Sequence, residues 1–307
     1  MDQDERLLHS SSFGAAAVAY AEHRPDYARA AVRWALAPAA GPRVLDLGAG
    51  TGKLTATLLA LGADTVAVEP DPAMLSELRR SLPEVRALPG SAEAIPLPDG
   101  SVDAVLAGNA LHWFDMAVAG PEIARVLVPG GILAGLWNVM NDEVDGPGGA
   151  GGVDGLDGAG EANGAGGSRG PDGAGGAEWA GGAGGPGRAG GAEWVSGLAR
   201  VGGSAVVGPR DTPAGWRAET ADAHLAETGA AACFGSPERA EFPHGQRRTA
   251  DSLVAALATR AGMLVMPEPE RRATLDRIRS YLASRPETAR GEFTLPMLTA
   301  VLRVRRL

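Results

Sequence analysis

The stretch Arg43 to Leu54, RVLDLGAGTGKL, constrains the fold more than any other. A short apolar run, Val44-Leu45-Asp46-Leu47, breaks into glycines at 48, 50 and 52, and Leu54, Leu58, Leu59 and Leu61 follow at helical spacing. Strand, tight turn and helix therefore come in that order. Glycines serve where the backbone takes unusual angles, or where a ligand lies too close for a Cβ. The helix behind such a turn offers free N–H groups and a positive dipole end to a polar or anionic ligand.

The surrounding pattern repeats this unit. Strands are predicted at Thr65–Val68, Val85–Leu88, Val102–Ala107 and Ile132–Trp137. Helices are predicted at 52–61, where Gly62 is a C-cap signal, from Pro72 along Met74, Leu75, Leu78 and Leu82, and at Met116–Leu127. Upstream, Ser12–Tyr20 and Asp26–Leu36 read as helices, the second with Asp26 as its cap. Strands alternating with helices at this spacing predict an α/β fold, a doubly wound parallel sheet with crossovers on both faces.

Composition breaks this pattern once. Of 45 glycines, 22 lie between Gly146 and Gly191, a segment that also holds GGAEW twice. Such a stretch buries too little apolar surface to offset its conformational entropy, so a disordered insertion is expected there. The expected organisation is 1–145 as one half of a domain, 146–191 as the insertion, and 192–307 as the part completing the same domain on the substrate side. Within that last part, Asp222–Glu227, Leu253–Ala261 and Pro267–Leu282 read as helices. Glu241–Arg247 is a candidate strand and Phe293–Val304 the last one.

A net charge of −9 argues against sequence-independent nucleic-acid binding. Arg303, Arg305 and Arg306 read as a solvated strand end. One cysteine, Cys233, leaves no intramolecular disulfide or Cys-rich zinc site, and the five histidines show no ligand spacing, so no metal is expected. Without a leader-like N-terminus or an apolar run near 20 residues, no membrane partner is expected and the location is read as cytoplasmic.

Two ligand readings of the turn can be weighed directly. A P-loop needs glycine where Leu47 stands and Ser or Thr where Leu54 stands, so it fails. A dinucleotide fingerprint would place its third glycine at Lys53 and is poorly matched. Glu69, at the end of the second strand, suits two ribose hydroxyls. That acid alone would fit NAD as well.

VLDLGAGTGKL followed by VAVEPDPAML resembles class I S-adenosylmethionine-dependent methyltransferases, and SAEAIPLPDGSVDAVLAGNALHWFD with the PGG turn before Ile132 extends the match. Phe13, Tyr20, Arg24, Pro25 and Tyr27, with ALHWFD, are similar to the type 11 small-molecule subgroup that includes aconitate methyltransferases. The resemblance implies a Rossmann-like seven-stranded sheet with an antiparallel final strand, S-adenosylmethionine as cofactor and a small-molecule acceptor.

It also implies residue roles. Gly48, Ala49, Gly50 and Gly52 would line the methionine part of the cofactor, Asp46 would reach its amino group, and Glu69 would accept from both ribose hydroxyls. Pro70, Asp71 and Met74 would flank the adenine. Ser91, Ala92 and Glu93 would lie at its amine, where relatives often carry an Asp at about the position of Ser91. Asn109 would lie at the methyl-donor end. Tyr20 and Arg24 would close over the cofactor, Arg24 toward its carboxylate. His112 would act as a base or positioning residue, and Trp113 and Tyr27 would wall the acceptor pocket. Two other readings stay open: a cofactor-binding but inactive regulatory or partner protein and, more weakly, an NAD-linked oxidoreductase. Oligomeric state is not legible.

Overall fold

The computed structural model describes residues 16–140, 193–203 and 232–307. Phe13, the first residues of the Ser12–Tyr20 helix, the Gly146–Gly191 segment and the Asp222–Glu227 helix lie outside the described residues.

Seven strands make one sheet in the order β3-β2-β1-β4-β5-β7-β6. They are β1 (Arg43–Leu47), β2 (Asp64–Glu69), β3 (Arg86–Pro89), β4 (Val102–Gly108), β5 (Leu127–Met140), β6 (Glu238–Arg248) and β7 (Phe293–Arg305). The pairs among β1 to β5 are parallel, whereas β7 runs antiparallel to both β5 and β6. The fold is thus a doubly wound Rossmann-like sheet with an antiparallel final strand. Its strand order reverses between β1 and β4, where such sheets hold their ligands.

Around the sheet lie α1 (Ala17–His23), α2 (Arg29–Leu36), α3 (Lys53–Ala60), α4 (Pro72–Ser81), α5 (Met116–Val126), α6 (Glu193–Gly202), α7 (Ala250–Ala258), α8 (Ala261–Leu264) and α9 (Glu268–Ala283). Alternate residues of a strand face opposite sides, so a central parallel strand must be apolar on both. In β1, Leu45 and Leu47 join Ile123 and Val126 of α5 in one core. Val44 faces the other way, toward Val32 of α2 and Leu54 and Leu58 of α3. Asp46 shares the parity of Val44, which places a carboxylate on the apolar α3 side. A third core joins Trp194 and Leu198 of α6, Leu253 and Leu257 of α7 and Ile278 of α9 to Leu295 and Met297 of β7.

At the amino-terminal edge of the sheet, Arg43 grips Asp103. Its Nε and Nη2 donate to the two carboxylate oxygens at 3.0 and 2.8 Å, and its backbone N–H adds a third bond at 3.0 Å. These bonds hold the Asp103 carboxyl below the usual carboxylate range against the opposing effect of burial.

Two sequence expectations are corrected here. Asp26 does not cap α2. That helix begins at Arg29 behind Ala28, with no side-chain cap. The Ala28 N–H is served instead by Thr299 Oγ1 of β7, at 3.2 Å, and the Asp26 carboxylate pairs with Lys53 at 3.2 Å. Nor are the C-terminal arginines simply a solvated strand end: Arg305 is exposed, but Arg303 and Arg306 are partly buried. Arg303 lies over the Trp34 ring at 3.7 Å and pairs with Glu238 at 2.6 Å. Arg305 donates to Gly130 O at 2.9 Å, and Arg306 donates to Leu127 O. Their donors close the PGG corner and the β5 entry, contacts no local pattern signals.

Candidate functional site

The glycine turn is stitched to the end of β2. The amides of Gly48 and Ala49 both donate to Val68 O, at 2.9 and 3.1 Å. Gly50 N–H donates to Glu69 Oε2 at 2.8 Å, and Asp71 N–H donates to Oε1 at 2.9 Å. Burial pushes the Glu69 carboxyl up, and these two amides pull it part of the way back. Each oxygen keeps a second lone pair for a further donor.

Gly48 and Gly50 are glycines for different reasons. Both have positive φ, 69° and 57°. A Cβ on Gly48 would stand 2.7 Å from the Ala110 Cβ, so the turn packs against the loop after β4. A Cβ on Gly50 would meet only the Met74 sulfur, at 4.0 Å. Gly50 faces open space, as a residue under a ligand does.

Asp46 is fully buried. Thr55 Oγ1 donates to its Oδ2 at 2.6 Å, while its buried Oδ1 has no hydrogen-bond partner among the described residues. Burial raises its pKa to about 7, the Thr55 bond opposing and the nearby Glu69 adding to the rise. A buried acceptor without a donor is costly and calls for an explanation. A cationic amino group from a ligand would supply one.

Other expected residues are placed as follows. Asp71 caps α4, its Oδ1 accepting from Ala73 N–H and Met74 N–H, both at 2.9 Å. Pro70 links Glu69 to that cap, and Met74 is buried. Ser91 bridges to Ala94, with Ala92 buried between them. Glu93 Oε1 accepts from Asp115 N–H at 3.0 Å, tying this loop to the start of α5. After β4, Asn109 takes φ 51°, and His112 and Trp113 share a 3-10 turn with ring centroids 4.7 Å apart.

The N-terminal segment comes over this end of the sheet. The Arg24 guanidinium lies 4.6 Å from the Tyr20 ring centroid and donates to Thr259 O at 3.3 Å; its Nε is buried without a hydrogen bond. Tyr27 packs so closely on β4 that a Cβ on Gly108 would stand 2.6 Å from its hydroxyl. Burial, then the proximity of Tyr20 and Asp46, pushes the Tyr27 hydroxyl well above its ordinary value. Sequence reasoning missed Thr55, Asn138 and Thr299. Thr55 lies in the first turn of α3, close enough in sequence to Asp46 to be found.

Asp46, the glycine turn, Glu69, the Ser91 loop and Asn109 thus gather at the carboxyl ends of β1 to β4. This is the ligand-binding class of doubly wound α/β protein, with its crevice at the reversal of strand order. Residues 45–135 match the family model described as a methyltransferase domain. An uncharacterized methyltransferase of Mycobacterium tuberculosis is 56% identical over 135 residues, 44% of this chain and 55% of that protein. A demethylmenaquinone methyltransferase of Beutenbergia cavernae is 42% identical over 100 residues, 32% of this chain and 42% of that protein. The chain spans about half the length of the curated relatives it matches. A solved structure described as a candidate type II methyltransferase from Anaeromyxobacter dehalogenans shares the fold, with a TM-score of 0.53 over 92% of this chain and 97% of that one, at 22% identity. Among the described residues, no helix is long and apolar enough to cross a membrane.

Proposed function

We propose that the chain binds S-adenosylmethionine and transfers its methyl group to a small-molecule acceptor. The observation that carries this reading is the buried, unpartnered Oδ1 of Asp46 beside the open face of Gly50. The methyltransferase-domain match and the demethylmenaquinone relative, whose named acceptor is a small molecule, support it. Among such acceptors, aconitate-like carboxylates are the finer class that the sequence resemblance implies.

In this reading Asp46 accepts from the cofactor's ammonium. Glu69 uses its remaining lone pairs for two ribose hydroxyls, a role that suits a carboxylate already held rigid by two amides. Met74 and Pro70 flank the base, with Ser91, Ala92 and Glu93 across from them. Arg24 lies toward the ligand's carboxylate.

When bound, the cofactor supplies a methyl group on a positively charged sulfur whose departure leaves a neutral thioether. The protein's task is then mainly alignment and exclusion of water. Tyr27 and Trp113 wall the acceptor pocket. His112 takes the proton of a hydroxyl acceptor on an imidazole nitrogen; a carboxylate acceptor has none to lose, and there His112 only positions. Calorimetry with S-adenosylmethionine, followed by transfer of labelled methyl into a small-molecule extract, tests the proposal. Absence of saturable binding overturns it. Saturable binding with no labelled product favours an inactive binding protein, and preferential competition by NAD favours an oxidoreductase.

A further inference from the structure

Two buried polar side chains on neighbouring strands, Asn138 of β5 and Thr299 of β7, are paired in register and 4% and 0% exposed. Thr299 Oγ1 donates to Asn138 Oδ1 at 2.6 Å and accepts from Ala28 N–H at 3.2 Å. His244 Nε2 of β6 lies 3.1 Å from the same hydroxyl. A hydroxyl has one proton and two lone pairs. With its proton on Asn138, Thr299 must accept from His244, which places a proton on Nε2.

The Asn138 amide is oriented in turn. Its Nδ2 donates to Asp26 O at 3.0 Å and Pro25 O at 3.5 Å, and Gln246 Nε2 adds a second bond to Asp26 O at 3.1 Å. The backbone N–H of Asn138 meanwhile donates to Asn109 Oδ1 at 3.1 Å. Asn109 is the one non-glycine residue with positive φ among the described residues. One asparagine therefore holds both the N-terminal segment, which carries Arg24 and Tyr27, and the loop after β4, which carries Asn109 to Trp113.

We propose that Asn138 and Thr299 form a clasp that sets the spacing between these two walls of the site, as positioning residues for the bound ligand. The inference rests on the methyl-donor reading above. Apolar residues of similar volume would fill the same space but leave the Ala28 N–H without its acceptor, so what the polar pair adds is the geometry it imposes on the N-terminal segment. Each donor has one direction, and each direction points at a wall of the crevice.

The test uses the full chain and Thr299→Val, which removes the hydroxyl at nearly constant volume. Binding of S-adenosylmethionine is expected to weaken about tenfold, within the range that coupled positioning residues reach. Thr299→Ser, which restores the hydroxyl, is expected to bind within about twofold of the parent on that same scale. Unchanged affinity in the valine variant, or equal loss in both, overturns the clasp. Should the valine variant not fold, Gln246→Ala at the half-exposed rim takes its place, with a weakening of about threefold expected and unchanged affinity counting against the proposal. Hydrogen exchange separates this inference from the donor reading, because it needs no ligand. If the pair is a clasp, Thr299→Val speeds exchange at Ala28 and at Asn109 and Asn138 together, whereas a local packing role changes Ala28 alone.

Discussion

Gly50 and Glu69 are joined directly, the amide of the turn's middle glycine donating to Oε2 of the carboxylate at 2.8 Å. One side chain thereby shapes the turn and, under the proposed function, would offer a ligand two acceptors. Glu69→Ala is expected to weaken S-adenosylmethionine binding by roughly 1.5–3 kcal/mol, the scale of hydrogen bonds to a charged group. Calorimetry measures it, and an unchanged dissociation constant removes Glu69 from the ribose role.

Asp46 makes binding depend on pH. Its pKa of about 7 means that near neutrality the empty site holds the carboxyl partly protonated. A cationic amino group favours the ionised form, so binding is expected to release protons and to tighten as pH rises toward about 7, levelling off once the empty site is itself ionised. Above about 8 a ligand α-amino group loses its own proton, and binding is expected to weaken again. Asp46→Asn should abolish the proton release, which calorimetry in two buffers of different ionisation enthalpy reads directly.

The same carboxyl affects stability. A folded-state pKa raised above the unfolded value near 4 means that the native state binds the extra proton. Stability therefore falls as pH rises through about 4 to 7 and is flat beyond, with a loss on the order of 4 kcal/mol from this group. Asp103 has the opposite sign. Its pKa is depressed by Arg43, so its contribution is present above about pH 4 and is lost as pH falls through the folded value. Urea unfolding of the empty protein at pH 4.5 and pH 8 should show the first effect in the parent chain and lose it in Asp46→Asn.

Much of this arrangement is legible in the sequence. The burial of β1 on both faces follows from its run of Val44, Leu45 and Leu47 around Asp46, and α3, α4 and α5 follow from a stripe and a turn signal. Local signals account for the turn at Gly48 to Gly52 and for Glu69 at the end of β2. What escapes them is contact over long separation. Asp26 looks like a cap because Asp precedes a helix, yet the amide in question takes its acceptor from a residue 271 positions away. Arg303 looks solvated because Trp34, whose ring it covers, is 269 residues upstream. The raised pKa of Asp46 is likewise invisible, since it depends on three surrounding elements and not on the strand that carries it.

Gly50 and Gly52 distinguish binding from folding. Gly50→Ala strains a φ of 57° at a cost of about 1–2 kcal/mol, but the new methyl enters open space on the ligand side. The variant should fold and bind S-adenosylmethionine at least about tenfold more weakly, on the scale of one displaced contact. At Gly52 φ is 90°, and a Cβ would come within 2.9 Å of Leu82 and 3.1 Å of Leu78. Gly52→Ala adds overpacking of about 1–3 kcal/mol to the strain, so thermal melting should fall much further than for Gly50→Ala. Equal melting temperatures would show that the two turns of backbone are equally tolerant.

The position of β7 bears on how the molecule is made. It is the last strand in sequence, yet it lies between β5 and β6, so β6 has no partner in the sheet until β7 arrives. During synthesis, chains emerge at about 5–20 residues per second and fold in units as they appear. The five parallel strands that carry the glycine turn and Glu69 emerge first and can pair among themselves. The clasp cannot close until Thr299 has emerged. A nascent chain would hold the glycine turn and Glu69 well before it holds Thr299, and the exposed edge of β5 is what chaperones would have to shield in the interval.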